Sequence, residues 1–396
     1  MTERRTIIYI GGFELPDKNA AAHRVLSNGK IFRNLGYNVV FIGIDKSLEA
    51  NSDISDTKGN IQGFDTWAIP YPKSVMDWPK YLSDIEHFQK IFELYGDVCL
   101  VVAYNYQAVA LNRIKKYCWK HGCKIIADCT EWYSTKGSGL LFKMIKGTDS
   151  FLRMRIIQKQ LDGLIVISVF LQQYYKKYSH IINVPPLVDL NEEKWKVSSD
   201  ISRDNNKVKL IYSGSPGREK DKINNIVDLL YEFRDNDNFI MEIVGLSEKQ
   251  FVNDFPDYKM KVEALSPKIN FHGRVSHIQS LELLKNADVC MFIREDNLTT
   301  KAGFPTKFVE SISCGIPVIT TKTSDLNDYI LVGINGYFID NISSEETKNL
   351  LNEILFINPQ KMKDSKNNYL VDSKMFHYES YKDVFEKFLS KIINNT

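Results

Sequence analysis

Twice in succession the chain alternates short, continuously apolar runs with stretches of helical spacing, and this rhythm restricts it to few architectures. The first series opens with TIIYIGGF (6–13), which ends at Gly11 and Gly12; helical periodicity follows from Ala20 to Leu35, with Gly36 as a stop, and then YNVVFIGI (37–44). Strand, helix, strand in that order predicts a βαβ unit and a parallel sheet. DVCLVVAY (97–104), a helix from Ala108 to His121, CKIIADC (123–129) and LDGLIVIS (161–168) extend the series. The stretch VPPLVDLNEEKWKVSSDISRDNNK (184–207), with two prolines, many charges and no periodicity, interrupts it and suits a linker. The rhythm resumes with KVKLIYSG (207–214), a helix around Asn225 to Phe233, NFIMEIVG (238–245), INFHGRV, a helix from Ile278 to Ala287, DVCMFIR, a further helix, PVITT, a helix near Leu326 to Leu331, and GYFI. The expected fold class is α/β, with two doubly wound Rossmann-like domains and an inter-domain cleft. The boundaries expected are 1–190, a linker over 191–206, and 207–373. Ligands of such sheets bind beyond the carboxyl ends of the strands, so the loops there are the candidate sites.

Composition narrows the chemistry. With 396 residues and 43% hydrophobic content, the chain can bury two cores. Lys plus Arg number 51 against 49 Asp plus Glu, a balance of +2, which gives no global field for nucleic acid. The six cysteines form no C-x-x-C pair and the seven histidines no H-E-x-x-H, so zinc and redox motifs are absent; Cys99, Cys290 and Cys314 sit in apolar runs and read as reduced core residues. No stretch reaches the roughly 18 apolar residues of a bilayer span. The expectation is a cytoplasmic protein. One segment, KGSGLLFKMIKGTDSFLRMRIIQK (136–159), interleaves basic and apolar residues around a single acid, Asp149. Such a segment can lie on an anionic leaflet at the inner face of the membrane, and equally can be an ordinary soluble helix.

Two loops carry candidate chemistry. SGSPGREKDK (213–222) lies between a strand and a helix; Gly214 and Gly217 let the backbone bend, while Arg218, Lys220 and Lys222 present cations near a helix N-terminus. That suits a diphosphate, or a solvated polar turn. It is not a Walker A loop. In KAGFPTKFVESISCGIPVIT (301–320), Gly303, Phe304, Pro305 and Thr306 precede a short helix whose first N–H groups and dipole favour an anion, with Lys307 adding charge. Glu310, three residues on, shares the face of Lys307 and could accept both hydroxyls of a ribose, or could merely satisfy its own helix.

GFPTKFVESISCGIPVI resembles the nucleotide-sugar signature of the retaining GT-B glycosyltransferases of the "glycosyl transferases group 1" type, near capsule and cell-surface polysaccharide members. YSGSPGREKD and FHGRVSHIQSLELLKNADVCMFIR are similar to the family's phosphate loop and base-binding region. The likeness covers most of 207–340 and the N-terminal half only loosely. It implies an acceptor-side N-terminal domain, a C-terminal domain that holds the donor nucleotide, and a last helix, 374–396, returning to the first domain. By position, Glu310 would be the second acid of the E-x7-E motif and bind the donor ribose. Arg218 and Lys220 would neutralise the diphosphate beside Gly214. The Gly303 to Lys307 backbone would hold the sugar and distal phosphate, and Arg274 would lie beside the base. The sequence departs from the pattern at Ala302, where the motif has its first glutamate.

On the first domain, the lack of side chains at Gly11 and Gly12 would let donor sugar or phosphate approach the backbone, or simply form a tight turn. Asp128 and Glu131, in ADCTEWY (127–133), end a strand and are candidates for acceptor or donor hydroxyls; Glu131 could equally open a helix. The resemblance implies transfer of a hexosyl unit, with retention, from a nucleoside diphosphate sugar, UDP-sugars being favoured. The acceptor would be a hydroxyl of a glycan or lipid-linked molecule in bacterial surface polysaccharide synthesis. It implies no metal or other cofactor, since Arg218 and Lys220 take the metal's place, and it names no catalytic base. The alternatives are a nucleotide-sugar epimerase or a catalytically silent glycan-binding partner of a transferase.

Overall fold

The computed structural model describes residues 5–132, 140–196, 207–217, 220–356 and 374–393, with side chains left aside at 140–143. Arg218, the segments 133–139 and 197–206, and the residues beyond 393 lie outside the described residues. The chain divides into two compact units: Met1–Leu187 with Ala302–Phe304 and Tyr378–Thr396, and Val188–Lys301 with Pro305–His377.

The first unit is built on an eight-stranded sheet ordered β3-β4-β2-β1-β5-β6-β7-β8. Its strands are β1 (Thr6–Gly11), β2 (Asn38–Asp45), β3 (Gly59–Ile61), β4 (Phe64–Pro70), β5 (Val98–Tyr104), β6 (Lys124–Cys129), β7 (Gly163–Val166) and β8 (His180–Asn183). All pairs are parallel except β3 with β4. β1 and β5 are buried along their whole length, as their unbroken apolar runs require. The order reverses between β1 and β5, the switch point of a doubly wound sheet. Gly11 is needed here for packing: a Cβ at Gly11 would stand 2.6 Å from the Tyr104 carbonyl oxygen. Gly12 faces open space.

The helix Lys382–Ile393 belongs to this unit and buries Phe385, Phe388, Leu389, Ile392 and Ile393. Phe385 meets Phe32 edge-on at 5.3 Å. Gly163 makes room for it, since a Cβ there would lie 2.5 Å from Ile392. The amphipathic segment expected over 374–396 is therefore shorter as a helix. Phe376 packs instead in the second unit, against Phe308 and Tyr329 at 5.8 and 5.4 Å.

The second unit has six parallel strands ordered β11-β10-β9-β12-β13-β14. They are β9 (Val208–Ser213), β10 (Phe239–Val244), β11 (Ile269–Gly273), β12 (Val289–Phe292), β13 (Val318–Thr320) and β14 (Gly336–Phe338). Counted from β9 this is 3-2-1-4-5-6, the Rossmann order, with its switch point between β9 and β12. Residues 191–196, expected as linker, carry a single turn, Glu193–Trp195, whose Trp195 is buried in this unit. Trp195 meets the His277 ring at 6.3 Å, which gives those residues a packed place.

Candidate functional site

At the second switch point, three charged side chains are buried together. Tyr212 ends β9, Asp221 closes the loop that follows it, Arg294 follows β12, and Lys307 lies in the first turn of the helix Thr306–Ser313. The Lys307 ammonium pairs with Asp221. It also donates to the Tyr212 hydroxyl at 2.9 Å and lies 4.1 Å from that ring's centre. Tyr212 donates to Asp221 Oδ2 at 2.8 Å, and Arg294 Nε donates to Asp221 Oδ1 at 3.1 Å. Burial pushes the Lys307 and Arg294 pKa values down while Asp221 pulls both back up; burial, then Asp221, drives the Tyr212 hydroxyl well up. Two cations thus share one acid. Among the described residues, Arg294 Nη1 is buried without a hydrogen-bond partner.

The loop and helix around this cluster have the backbone geometry an anion needs. Gly214 has φ +107° and Gly245 φ +97°; a Cβ at Gly245 would stand 2.7 Å from the Gly214 carbonyl carbon, so only glycine lets the two loops meet. The Lys220 carbonyl accepts from Glu295 N–H at 3.3 Å, and Lys222 pairs with Glu295 at 2.9 Å, which ties the loop to the chain after β12. Pro305 stands at the N-cap of Thr306–Ser313 and supplies no side-chain cap. Glu310 is half-buried on the same helix and accepts from His277 at 3.3 Å. Arg274 is exposed beyond β11.

Several of these positions depart from the sequence-based expectation. Lys307 spends its charge within the unit: its ammonium is committed to Asp221 and Tyr212, which leaves its backbone N–H as the group it can offer. Ala302 is wholly buried, a methyl in the core rather than a polar group at a site. Asp128 is 0% exposed and fully used inside the first unit. Its carboxylate takes Arg24 in a bidentate pair at 2.8–2.9 Å and Tyr9 at 2.6 Å, with Asn28 at 3.3 Å, so no oxygen is left for a sugar hydroxyl. No sequence motif singles out the side chains of Asp221, Arg294, Tyr212 or His277. Arg294 had a signal: an arginine ending an otherwise apolar buried strand has to find an anion.

The first unit has its own opening at its switch point. A cavity of about 800 Å³ is lined by Gly12, Tyr104 and Asn105 at the ends of β1 and β5, by Glu131 past β6, and by the rings of Tyr71, Trp78 and Tyr81. Those three rings pack edge-to-face with centroids 5.6–5.8 Å apart. They come from the stretch between β4 and β5.

Residues 193–371 match the family model described as "Glycosyl transferases group 1". No curated protein sequence matches the chain. Among solved structures, sucrose-phosphate synthase from Thermosynechococcus elongatus aligns with TM-score 0.73 at 15% identity over 99% of this chain and 100% of that one. A glycosyltransferase from Rickettsia africae aligns at 0.67 and 14%, over 99% and 100%. HepE from Anabaena, solved in complex with UDP and glucose, aligns at 0.65 and 14%, over 98% and 100%. Residues 193–371 are therefore similar to the glycosyl transferases group 1, and the chain has the GT-B fold of these structures.

Proposed function

We propose that this protein is a glycosyltransferase that moves a hexosyl unit, with retention, from a nucleoside diphosphate sugar to a hydroxyl of a glycan or lipid-linked acceptor in cell-surface polysaccharide synthesis. The observation that carries the reading is the surplus positive charge at the second switch point: Arg294 and Lys307 against Asp221 alone, beneath a glycine-bent loop and an uncapped helix start. A buried cluster with one cation in excess is stabilised by an anion. As the nucleoside diphosphate departs, charge grows on its β-phosphate, and donors fixed in advance favour that state over the ground state. Arg218 and Lys220 supply further cations to the diphosphate, in the role a metal has elsewhere. Gly214 and the Gly303 to Lys307 backbone, with Phe304, Pro305 and Thr306, hold phosphate and sugar. Glu310 takes the ribose, with Arg274 beside the base, and UDP is favoured by the UDP-bound relative. Gly12 leaves room for the donor sugar or phosphate, and Glu131 serves the acceptor.

Among the described residues no helix is long and apolar enough to cross a membrane. In this reading the protein is cytoplasmic and meets the inner leaflet through 136–159. Thermal unfolding with UDP, ADP, GDP and their sugars tests the donor assignment. At 100 times its dissociation constant the right nucleotide stabilises by about 2.7 kcal/mol. A panel in which no nucleoside diphosphate raises the melting temperature removes the reading.

A further inference from the structure

We infer that the cavity of the first unit receives the apolar tail of a lipid-phosphate-linked acceptor, so that the acceptor is lipid-anchored rather than a free glycan. This rests on the glycosyltransferase reading and names its second substrate. Three observations on the first unit carry it.

The first is what lines the cavity. Sugars are held by polar groups aimed at each hydroxyl, yet the polar side chains here are mostly spent on the protein. Asp149 accepts from the Ala108 N–H at 2.7 Å, Asn105 donates to Thr130 at 2.7 Å, and Arg153 donates to the Asn105 carbonyl at 2.8 Å. Asn19, Gln107, Glu131, Lys146 and Ser150 complete the polar part of the wall, and the remainder is aromatic or aliphatic, with Ala20, Ala21 and Leu82 beside the three packed rings. Space of about 800 Å³ lies at the upper end of small-molecule sites, and an apolar lining selects an apolar guest. Gly12 and Glu131 line the same space, so a hydroxyl-bearing head and an apolar tail can share it.

The second is that the apolar lining continues to the surface. Val75 and Ile145 both line the cavity and are 77% and 44% exposed. Their neighbours Met76 and Met144 are exposed apolar residues too. Val75 and Met76 precede the helix Trp78–Ser83, and Met144 and Ile145 lie on the helix Leu140–Leu152. Two separate elements thus present large apolar side chains to water at the edge of one cavity, where a free-glycan site would gain nothing from them.

The third is charge. Lys73, paired with Glu49 at 2.9 Å, and Lys80 flank the first apolar pair on either side of Asp77, and Lys146 and Arg155 follow the second. Cations around an apolar entrance match the phosphate of a lipid carrier and the anionic leaflet it sits in.

The test uses the full chain and n-alkyl β-D-glucosides from hexyl to nonyl, kept below their micelle concentrations, with binding followed by calorimetry and UDP-induced thermal shift measured on the same preparations. Each methylene that enters the cavity should lower Kd about fourfold until the space is filled. Val75→Asp and Ile145→Asp, both at the surface and tolerable to the fold, should each weaken nonyl glucoside at least tenfold and leave the UDP shift intact. Equal Kd for hexyl and nonyl glucosides, or lip variants that bind like the parent, overturns the inference and leaves the donor assignment standing. A tail-length dependence without any UDP shift keeps the cavity's role and removes the donor assignment instead.

Discussion

The two units are the same device with different contents. Each is a sheet, parallel but for the β3 edge of the first, whose order reverses beside its first strand, where ligands of such sheets bind. In the second unit the reversal holds Arg294, Lys307 and Asp221, a buried charge cluster with one cation to spare. In the first it holds an aromatic-walled cavity, and the buried acid nearby, Asp128, is matched one-to-one by Arg24. Arg24 also donates from Nη1 to the Val184 and Pro185 carbonyls at 2.9 and 3.2 Å, so both Nη1 N–H groups are occupied. The comparison teaches that topology fixes where a ligand goes, while the ratio of buried cations to acids fixes whether an anion is wanted there.

The sharpest way to break the comparison is to remove each acid. Asp221→Ala and Asp128→Ala should each destabilise the protein by about 3–5 kcal/mol, because each strands buried cations. Chemical denaturation reads the loss. The two should then part company: Asp128→Ala keeps the UDP-induced stabilisation, and Asp221→Ala loses most of it because its cations no longer hold their places. Equal ligand responses in the two variants would mean that the clusters do not differ in kind.

Acid sensitivity is expected to belong to the first unit. Burial lowers the His87 pKa to about 4, and its Nε2 sits 3.1 Å from the Tyr106 hydroxyl. The folded value lies below the ordinary 6.5, so the unfolded chain takes up this proton first as pH falls. Stability present above pH 6.5 is lost between there and pH 4, by up to about 3 kcal/mol. Stability curves at several pH values should show this slope, and His87→Gln should flatten it. An unchanged slope in the variant would assign the acid loss elsewhere.

Smaller effects sharpen the contrast. Glu310→Gln keeps the shape of the side chain and weakens its acceptance of ribose hydroxyls, so the KM for the donor should rise about tenfold, the worth of one charge-assisted hydrogen bond. Kinetics with a deoxyribose donor supply the control, since parent and variant should then converge. Least of all, Gly12→Ala should shift stability by under about 0.5 kcal/mol, as its Cβ meets nothing within 4 Å, whereas Gly11→Ala collides with the Tyr104 carbonyl. Denaturation midpoints of the two alanine variants make the comparison.

Much of the scaffold was legible in the sequence because buried parallel strands have an unambiguous signature. TIIYIG, VCLVVAY and VKLIYS are predominantly apolar, and each is a strand of the structure. The region between β2 and β5 was not legible. Its apolar residues are aromatic rings that pack on one another, Tyr71, Trp78 and Tyr81, so their spacing follows tertiary contact rather than a helix or strand period. The site divides along the same line. Loops rich in glycine and cations announced themselves, and GFPTKFVE drew notice to Lys307 and Glu310. What could not be read was which charges face inward: Asp221 stands between Lys220 and Lys222, and only the fold shows that it turns to Lys307 and Arg294. The same blindness made Asp128 look like a sugar ligand when it is an internal partner of Arg24.

The central claim is that the excess buried cation of the second unit is the diphosphate's seat, and UDP titration of Arg294→Met by calorimetry tests it most directly. Methionine fills the volume and leaves Lys307 and Asp221 as a balanced pair. The account predicts a folded variant whose UDP affinity falls tenfold or more, with uridine, which lacks the diphosphate, bound as weakly by variant as by parent. A variant that is equally stable and binds UDP as tightly as the parent would contradict it.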